Sequence, residues 1–153
     1  MDVDVRMQPT RTVAVVRRPV RTDELAAFYD TAYGEVARTV GEAGARIVGP
    51  AIGWYHGMPT DTVDVAAGFP VEGVEPGPLG GRVEVVELPG GPALVGLFVG
   101  PYDDLGAAWG EVEARRAEHG RDGRGDFWEE YVTEPSPDGD PARNETLLVL
   151  PFA

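Results

Sequence analysis

The sequence predicts an α+β fold made of two copies of one strand–helix–strand–strand unit. Three observations point to it: short runs alternate apolar and polar residues between Gly and Pro breaks, two longer runs carry apolar residues at helical spacing, and the order of these runs repeats. Setting Leu25 on Leu105 places Val13–Val16 on Ala93–Gly96 and Tyr29 on Trp109. Allowing for a shorter second loop, Trp54-Tyr55-His56 falls on Glu130-Tyr131-Val132, Pro59 on Pro135, and Phe69-Pro70-Val71 on Leu150-Pro151-Phe152. A period of this length is a duplicated supersecondary unit, not a solenoid repeat. One domain is expected over 1–153, with pseudo-repeats at about 1–71 and 82–153 joined by a Gly/Pro-rich linker at 72–81.

Each element has a local reason. Val3, Val5 and Met7 alternate with polar residues, Pro9-Thr10 breaks the run, and Val13–Val16 resumes it, which gives a first strand with an interruption. Thr22 suits an N-cap, and Asp23 and Glu24 follow where acids favour the helix dipole. The helix predicted from there to about Ala43 puts Leu25, Phe28, Tyr29, Ala32, Val36 and Val40 on one face, and Gly44 ends it. Arg46–His56 reads as a strand broken at Gly49-Pro50, and Thr62–Pro70 as a second alternating strand. After the linker, Arg82–Leu88 and Ala93–Val99 are strands around a Pro89-Gly90-Gly91 turn. Gly100-Pro101-Tyr102 then enters a helix carrying Leu105, Ala108, Trp109 and Val112, which ends near His119-Gly120. Phe127–Pro135 and Glu145–Phe152 are the closing strands. Two such units join their sheets about a pseudo-twofold axis, with both helices on one side and a shared groove on the other.

Composition removes several function classes. The formal net charge of −13 argues against direct nucleic-acid binding, because phosphate contacts need clustered cations. There is no cysteine, which leaves neither disulfides nor thiolate metal sites, and two histidines are too few for a histidine-based metal centre. No apolar run approaches the roughly 20 residues of a membrane span, and no signal peptide is evident, so a soluble, cytoplasmic protein is expected. Gly80-Gly81 and Gly90-Gly91 lack the strand-then-helix setting of a phosphate loop. No Ser-His-Asp grouping is evident, and neither metal nor cofactor is expected.

The chemistry concentrates in FWEEYVTEP. Alternation along a strand points Phe127, Glu129 and Tyr131 one way and Trp128, Glu130 and Val132 the other, so each face carries one carboxylate. An acid partly desolvated beside a phenol and aromatic rings either attracts an organic cation or has a raised pKa and trades protons. The simpler alternative is an edge strand with both acids in water and the aromatics in the core. By the repeat, Tyr55 and Tyr131 are symmetric across the groove whereas Glu129 falls opposite Gly53, giving symmetric walls and one acid. The local argument adds Tyr55, Trp109, Phe69 and Trp54 as wall residues, with Tyr102 as a secondary lining residue. Trp109 also suits the core, since Leu105 and Val112 share its helical face. His56 reads as a surface histidine or a proton shuttle. If Glu129 faces the groove, Glu130 faces the helices.

Several motifs together resemble the GyrI-like effector-binding domains, which have a SOUL-like fold and also occur at the C-terminus of AraC-type and MerR-type drug-responsive regulators. They are Gly100-Pro101-Tyr102 followed two residues later by Leu105, Glu129-x-Tyr131-x-x-x-Pro135, Thr146 with Pro151, and Val63-Asp64-Val65 through Phe69-Pro70-Val71. The resemblance implies a duplicated βαββ arrangement, an eight-stranded antiparallel sheet with two helices. It also implies binding of lipophilic, often cationic or planar compounds in an aromatic cleft whose glutamate looks like Glu129, with Tyr131 on the same strand face. Some stand-alone relatives hydrolyse strained cyclopropane-bearing toxins with a cleft acid and tyrosine, and others are linked to protection of DNA gyrase. A regulator or gyrase is thus the protein partner the resemblance suggests. No DNA-binding domain is expected in this chain, because its first residues already belong to the sheet.

Two function classes remain open. A multidrug-type binding module needs only a groove, with Glu129 as counter-ion and Tyr and Trp rings as stacking and cation-π surfaces. A hydrolase of small electrophilic toxins would use Glu129 as general acid/base and Tyr131 or Tyr55 as hydrogen-bond donor to a developing oxyanion.

Overall fold

A long antiparallel ribbon ties the two repeats together. In this computed structural model, which describes residues 1–134 and 138–153, β1 (Val3–Gln8) and β2 (Arg11–Arg21) form one arm of it. β7 (Val83–Leu88) and β8 (Gly91–Val99) form the other. Gln8 pairs with Gly91 and Arg11 with Leu88, so β1 continues along β8 in the register in which β2 continues along β7. The bend falls at Pro9-Thr10 and Pro89-Gly90, where the Thr10 hydroxyl accepts the Gly90 N–H at 2.9 Å. Gly90 is required there, because a Cβ would collide with the backbone of Gln8, Pro9 and Thr10.

The remaining elements are α1 (Leu25–Glu42), β3 (Arg46–Ile47), β4 (Ala51–Tyr55), β5 (Thr62–Glu72), β6 (Gly77–Gly80), α2 (Leu105–His119), β9 (Phe127–Tyr131) and β10 (Glu145–Pro151). The strand order is β1-β8-β10-β9-β4-β5-β2-β7-β6, with β3 paired to β5, and every pairing is antiparallel. Eight of these strands make the expected sheet; β3 and β6 add to it. β6 lies inside the segment expected to be only a linker, where Gly77-Pro78 pairs with Val85-Glu84.

Both helices pack on one face. Phe28, Ala32, Val36 and Val40 of α1 lie on Ala14, Val16, Val63 and Val65. Ala108 and Val112 of α2 lie on Val3, Leu94, Leu148 and Leu150. The other face was expected to hold the groove, and it does not. Val13, Val15 and Ala66 from one flank join Ala93, Val95 and Val149 from the other in a single buried cluster around Trp128 and Ile52. The ribbon joins the two flanks, so the sheet curls shut on its helix-free face and fills it with apolar side chains.

Local details also depart from expectation. Thr22 does not cap α1; it begins a 3-10 turn, and its hydroxyl donates instead to Thr60 O and Asp61 O of the facing loop. Gly44 does follow the helix in the left-handed region, φ 75°. Pro19 is tolerated within β2 because β7 pairs only as far as Val15, which leaves Pro19 on an open edge. β9 stops at Tyr131, short of the strand expected through Pro135, which itself lies outside the described residues. Among the described residues, no helix is long and apolar enough to cross a membrane.

Candidate ligand-binding cleft

The cleft lies between the two helices, over the central β4–β9 pair. Its floor is the register itself: Gly53 pairs with Glu129, Ala51 with Tyr131, and Tyr55 with Phe127. The sequence repeat maps Gly53 onto Glu129 and Tyr55 onto Tyr131, so the Gly53–Glu129 pair sits on the pseudo-twofold axis. Leu25, Tyr29 and Tyr33 of α1 form one wall, and Leu105 and Trp109 of α2 form the other, with Phe69, Phe127 and Tyr102 completing a space of about 1240 Å³.

Glu129 stands at the centre of this space, 4% exposed. Its Oε2 accepts the Trp109 indole N–H at 2.7 Å, and its Oε1 accepts the hydroxyls of Tyr131 at 2.5 Å and Tyr55 at 3.3 Å. Tyr29 donates to the Tyr55 hydroxyl at 2.5 Å, extending the chain onto α1. Tyr33 stacks on Tyr29 and donates to Ile52 O. Among the described residues the other charged groups lining the cleft are Asp30 and Glu134, and no Arg or Lys lines it.

Burial pushes the Glu129 carboxyl above the usual carboxylate range, and the donors Tyr131, Trp109 and Tyr55 pull it only part of the way back. Burial likewise raises Tyr29, Tyr33, Tyr55 and Tyr131, and the Glu129 charge beside them adds to the effect. The phenols therefore remain neutral donors.

Gly53 makes this crowding possible. A Cβ there would lie 2.7 Å from the Tyr29 hydroxyl and 3.0 Å from that of Tyr131. Gly53→Ala is expected to push both rings aside, to cost about 1–3 kcal/mol by overpacking, and to weaken ligand binding. Urea unfolding and Trp109 fluorescence check the two effects; an unchanged unfolding midpoint would contradict the first, and an unchanged ligand affinity the second.

The structure brings Glu129, Tyr131, Tyr55, Trp109, Phe69 and Tyr102 to one cleft. Trp54 is not among them. It points to the helix-free face with Trp128, and its indole N–H donates to Asp126 at 2.9 Å. Glu130 also faces that side, not the helices, and is held by the Arg11 guanidinium at 3.3 and 3.2 Å and by the Trp128 N–H at 3.1 Å. His56 lies outside the cleft with its ring 4.3 Å from that of Trp54, and burial lowers its pKa. Tyr29, Tyr33 and Phe127 line the cleft in addition to the residues the sequence predicts. The signal for Tyr29 is its alignment with Trp109, and Tyr33 lies one turn further along the same face. Among the described residues no group of three or more His, Cys, Asp or Glu side chains is placed to hold a metal ion.

A family model for the GyrI-like small molecule binding domain matches residues 1–153. The chain belongs to that family. The GyrI-like fold is also seen in solved structures. The EcmrR C-terminal domain has a TM-score of 0.84 at 18% identity, covering 99% of this chain and 97% of that one. A hydrolase from Listeria innocua has a TM-score of 0.68 at 15% identity, covering 99% and 91%. SAV2435 bound to tetraphenylphosphonium has a TM-score of 0.68 at 12% identity, covering 100% and 94%. Against the EcmrR chain in its complex with DNA, this GyrI-like chain spans 57% of the length. No curated protein matches it.

Proposed function

We propose that this GyrI-like domain binds lipophilic, planar or cationic compounds between its two helices, sensing or sequestering them, with Glu129 as counter-ion. The observation that carries the reading is a buried carboxylate ringed by Tyr131, Tyr55 and Trp109, with no basic side chain lining the cleft among the described residues. Such an acid has hydrogen-bond donors but no counter-charge, and an organic cation stacked on the aromatic walls supplies one. Asp30 and Glu134 add charge of the same sign. The tetraphenylphosphonium bound by SAV2435 is a lipophilic cation of this class, held on a shared fold.

The net charge of −13 supports a protein that makes no direct contact with nucleic acid, and a place in the cytoplasm is part of the same proposal. A regulator or gyrase remains the protein partner this reading would test first.

Titration of intrinsic fluorescence with tetraphenylphosphonium, planar cationic dyes and neutral aromatics tests the proposal. Trp109 lines the cleft whereas Trp54 and Trp128 lie on the opposite face, so quenching is expected to come from Trp109 and to vanish in Trp109→Phe. Cations should bind more tightly than neutral analogues of equal size. Equal affinity for both would remove Glu129 from the binding role.

A second reading has its own observation. A carboxyl with raised pKa, 2.5 Å from a phenol hydroxyl, also suits a general acid/base, which supports the hydrolase reading. Product analysis of the same mixtures separates the two: a binding module returns every compound intact, and a hydrolase of strained electrophiles consumes one.

A further inference from the structure

The two ends of the sheet are treated differently. At one end β6 covers β7, and β6 is a poor template for anything else: four residues, GPLG, with a proline and a register shift between Pro78 and Gly80. The pseudo-twofold axis relates β7 to β1, each being the first strand of its ribbon arm. β1 has no such cover among the described residues; it pairs with β8 and ends the sheet. It is six residues long, has neither proline nor bulge, and leaves Val5 47% and Met7 74% exposed. Natural edge strands of this kind are normally blunted.

The sequence of β1 is complementary to itself when reversed about Val5. Pairing two copies antiparallel with Val5 opposite Val5 puts Asp4 opposite Arg6 twice, and Val3 opposite Met7 twice. Alternation keeps the charges on one face and the apolar residues on the other. Asp4 and Arg6 are 65% and 64% exposed, and within one chain they approach only to 3.9 Å, so both are available to a second copy. Opposite charges directly across a strand pair stabilise it and like charges oppose it.

We propose that β1 is a self-association edge, where two copies of this chain pair β1 to β1 antiparallel in the register centred on Val5. The operation repeats between molecules what joins β4 to β9 within one: a two-fold axis normal to the sheet, with all helices on one face. A single six-residue edge gives an interface below the roughly 1,200 Å² of standard complexes, so association is weak and is opposed by the net charge of −13 on each copy. It is favoured by salt, which screens that net charge.

Sedimentation equilibrium from about 10 μM to about 1 mM, a range that spans weak dissociation constants, tests the edge. The wild type is expected to shift from monomer toward dimer across it. Asp4→Arg and Arg6→Asp each place like charges across the pair and are expected to weaken dimerisation at least about tenfold. The double variant Asp4→Arg/Arg6→Asp restores it, and so does an equimolar mixture of the two single variants, as a heterodimer. Both positions are exposed, so circular dichroism should show unchanged folding in every variant. A wild type that stays monomeric throughout overturns the proposal. So does a dimer that the single substitutions leave intact, or one that the charge swap fails to restore.

Discussion

Glu129→Gln is expected to lower affinity for tetraphenylphosphonium about a hundredfold while leaving neutral aromatic ligands within about threefold. Two unit charges about 5 Å apart at an effective dielectric of about 20 attract by about 3 kcal/mol, and the amide removes that attraction while keeping the shape. Gln can still accept the Trp109 N–H, and its amide group can donate to the phenol oxygens of Tyr131 and Tyr55, so the cleft should keep its geometry.

The pH dependence has a definite sign. Burial raises the Glu129 carboxyl pKa in the folded, empty protein above its value in the unfolded chain. The folded state then favours the protonated form, and ionisation costs stability as pH rises from the ordinary carboxyl range through the raised folded value. Glu129→Gln should therefore melt higher than wild type above that folded pKa, with the difference vanishing as pH falls below the ordinary carboxyl range. Cation affinity of the wild type should rise over the same window and that of the variant should stay flat. Calorimetric melting and fluorescence titration at several pH values check both. A variant that binds tetraphenylphosphonium like the wild type at neutral pH would exclude Glu129 as the counter-ion.

Arg11→Ala is expected to destabilise the fold by about 3–5 kcal/mol, the usual result of stripping one partner from a buried ion pair. Arg11 reaches both oxygens of Glu130, which is only 8% exposed. Without the guanidinium, the Trp128 N–H is, among the described residues, the side-chain donor left to that carboxylate. Glu130→Gln should cost less, because Arg11 is partly exposed and can turn to water. Combining the two substitutions should recover most of the loss, since the double variant buries no charge. Urea midpoints for the three variants measure this, and an Arg11→Ala midpoint equal to wild type would overturn it.

Much of this architecture was legible in the sequence because apolar spacing and Gly/Pro punctuation report local geometry. The match of Leu25 with Leu105 placed both helices, and the same alignment set Gly53 opposite Glu129, as the β4–β9 register does. The side of the sheet that holds the cleft was not legible. It depends on the bent ribbon joining β2 and β7 to β1 and β8, a pairing between residues some 80 positions apart in the chain, and local pattern does not encode such closure. Trp54 lies on the far face by simple strand alternation, since neighbours in one strand point to opposite faces and Tyr55 faces the cleft. Thr22 met a good local rule, but the carbonyls of a distant loop claimed its hydroxyl.

The position of Glu129 on the axis bears on how a ligand can lie in the cleft. A charge at the centre of a two-fold site is equally reachable from either wall, so a compound with a central cation and similar arms can be seated in two reversed poses that use the same acid. One wall offers Tyr29 and Tyr33 and the other Trp109, so the poses are near-equivalent, not identical. A compound with its charge at one end has no such choice and must leave part of one wall uncovered. Symmetric cations should therefore show diffuse, averaged orientation at high occupancy, whereas asymmetric ones should adopt a single pose.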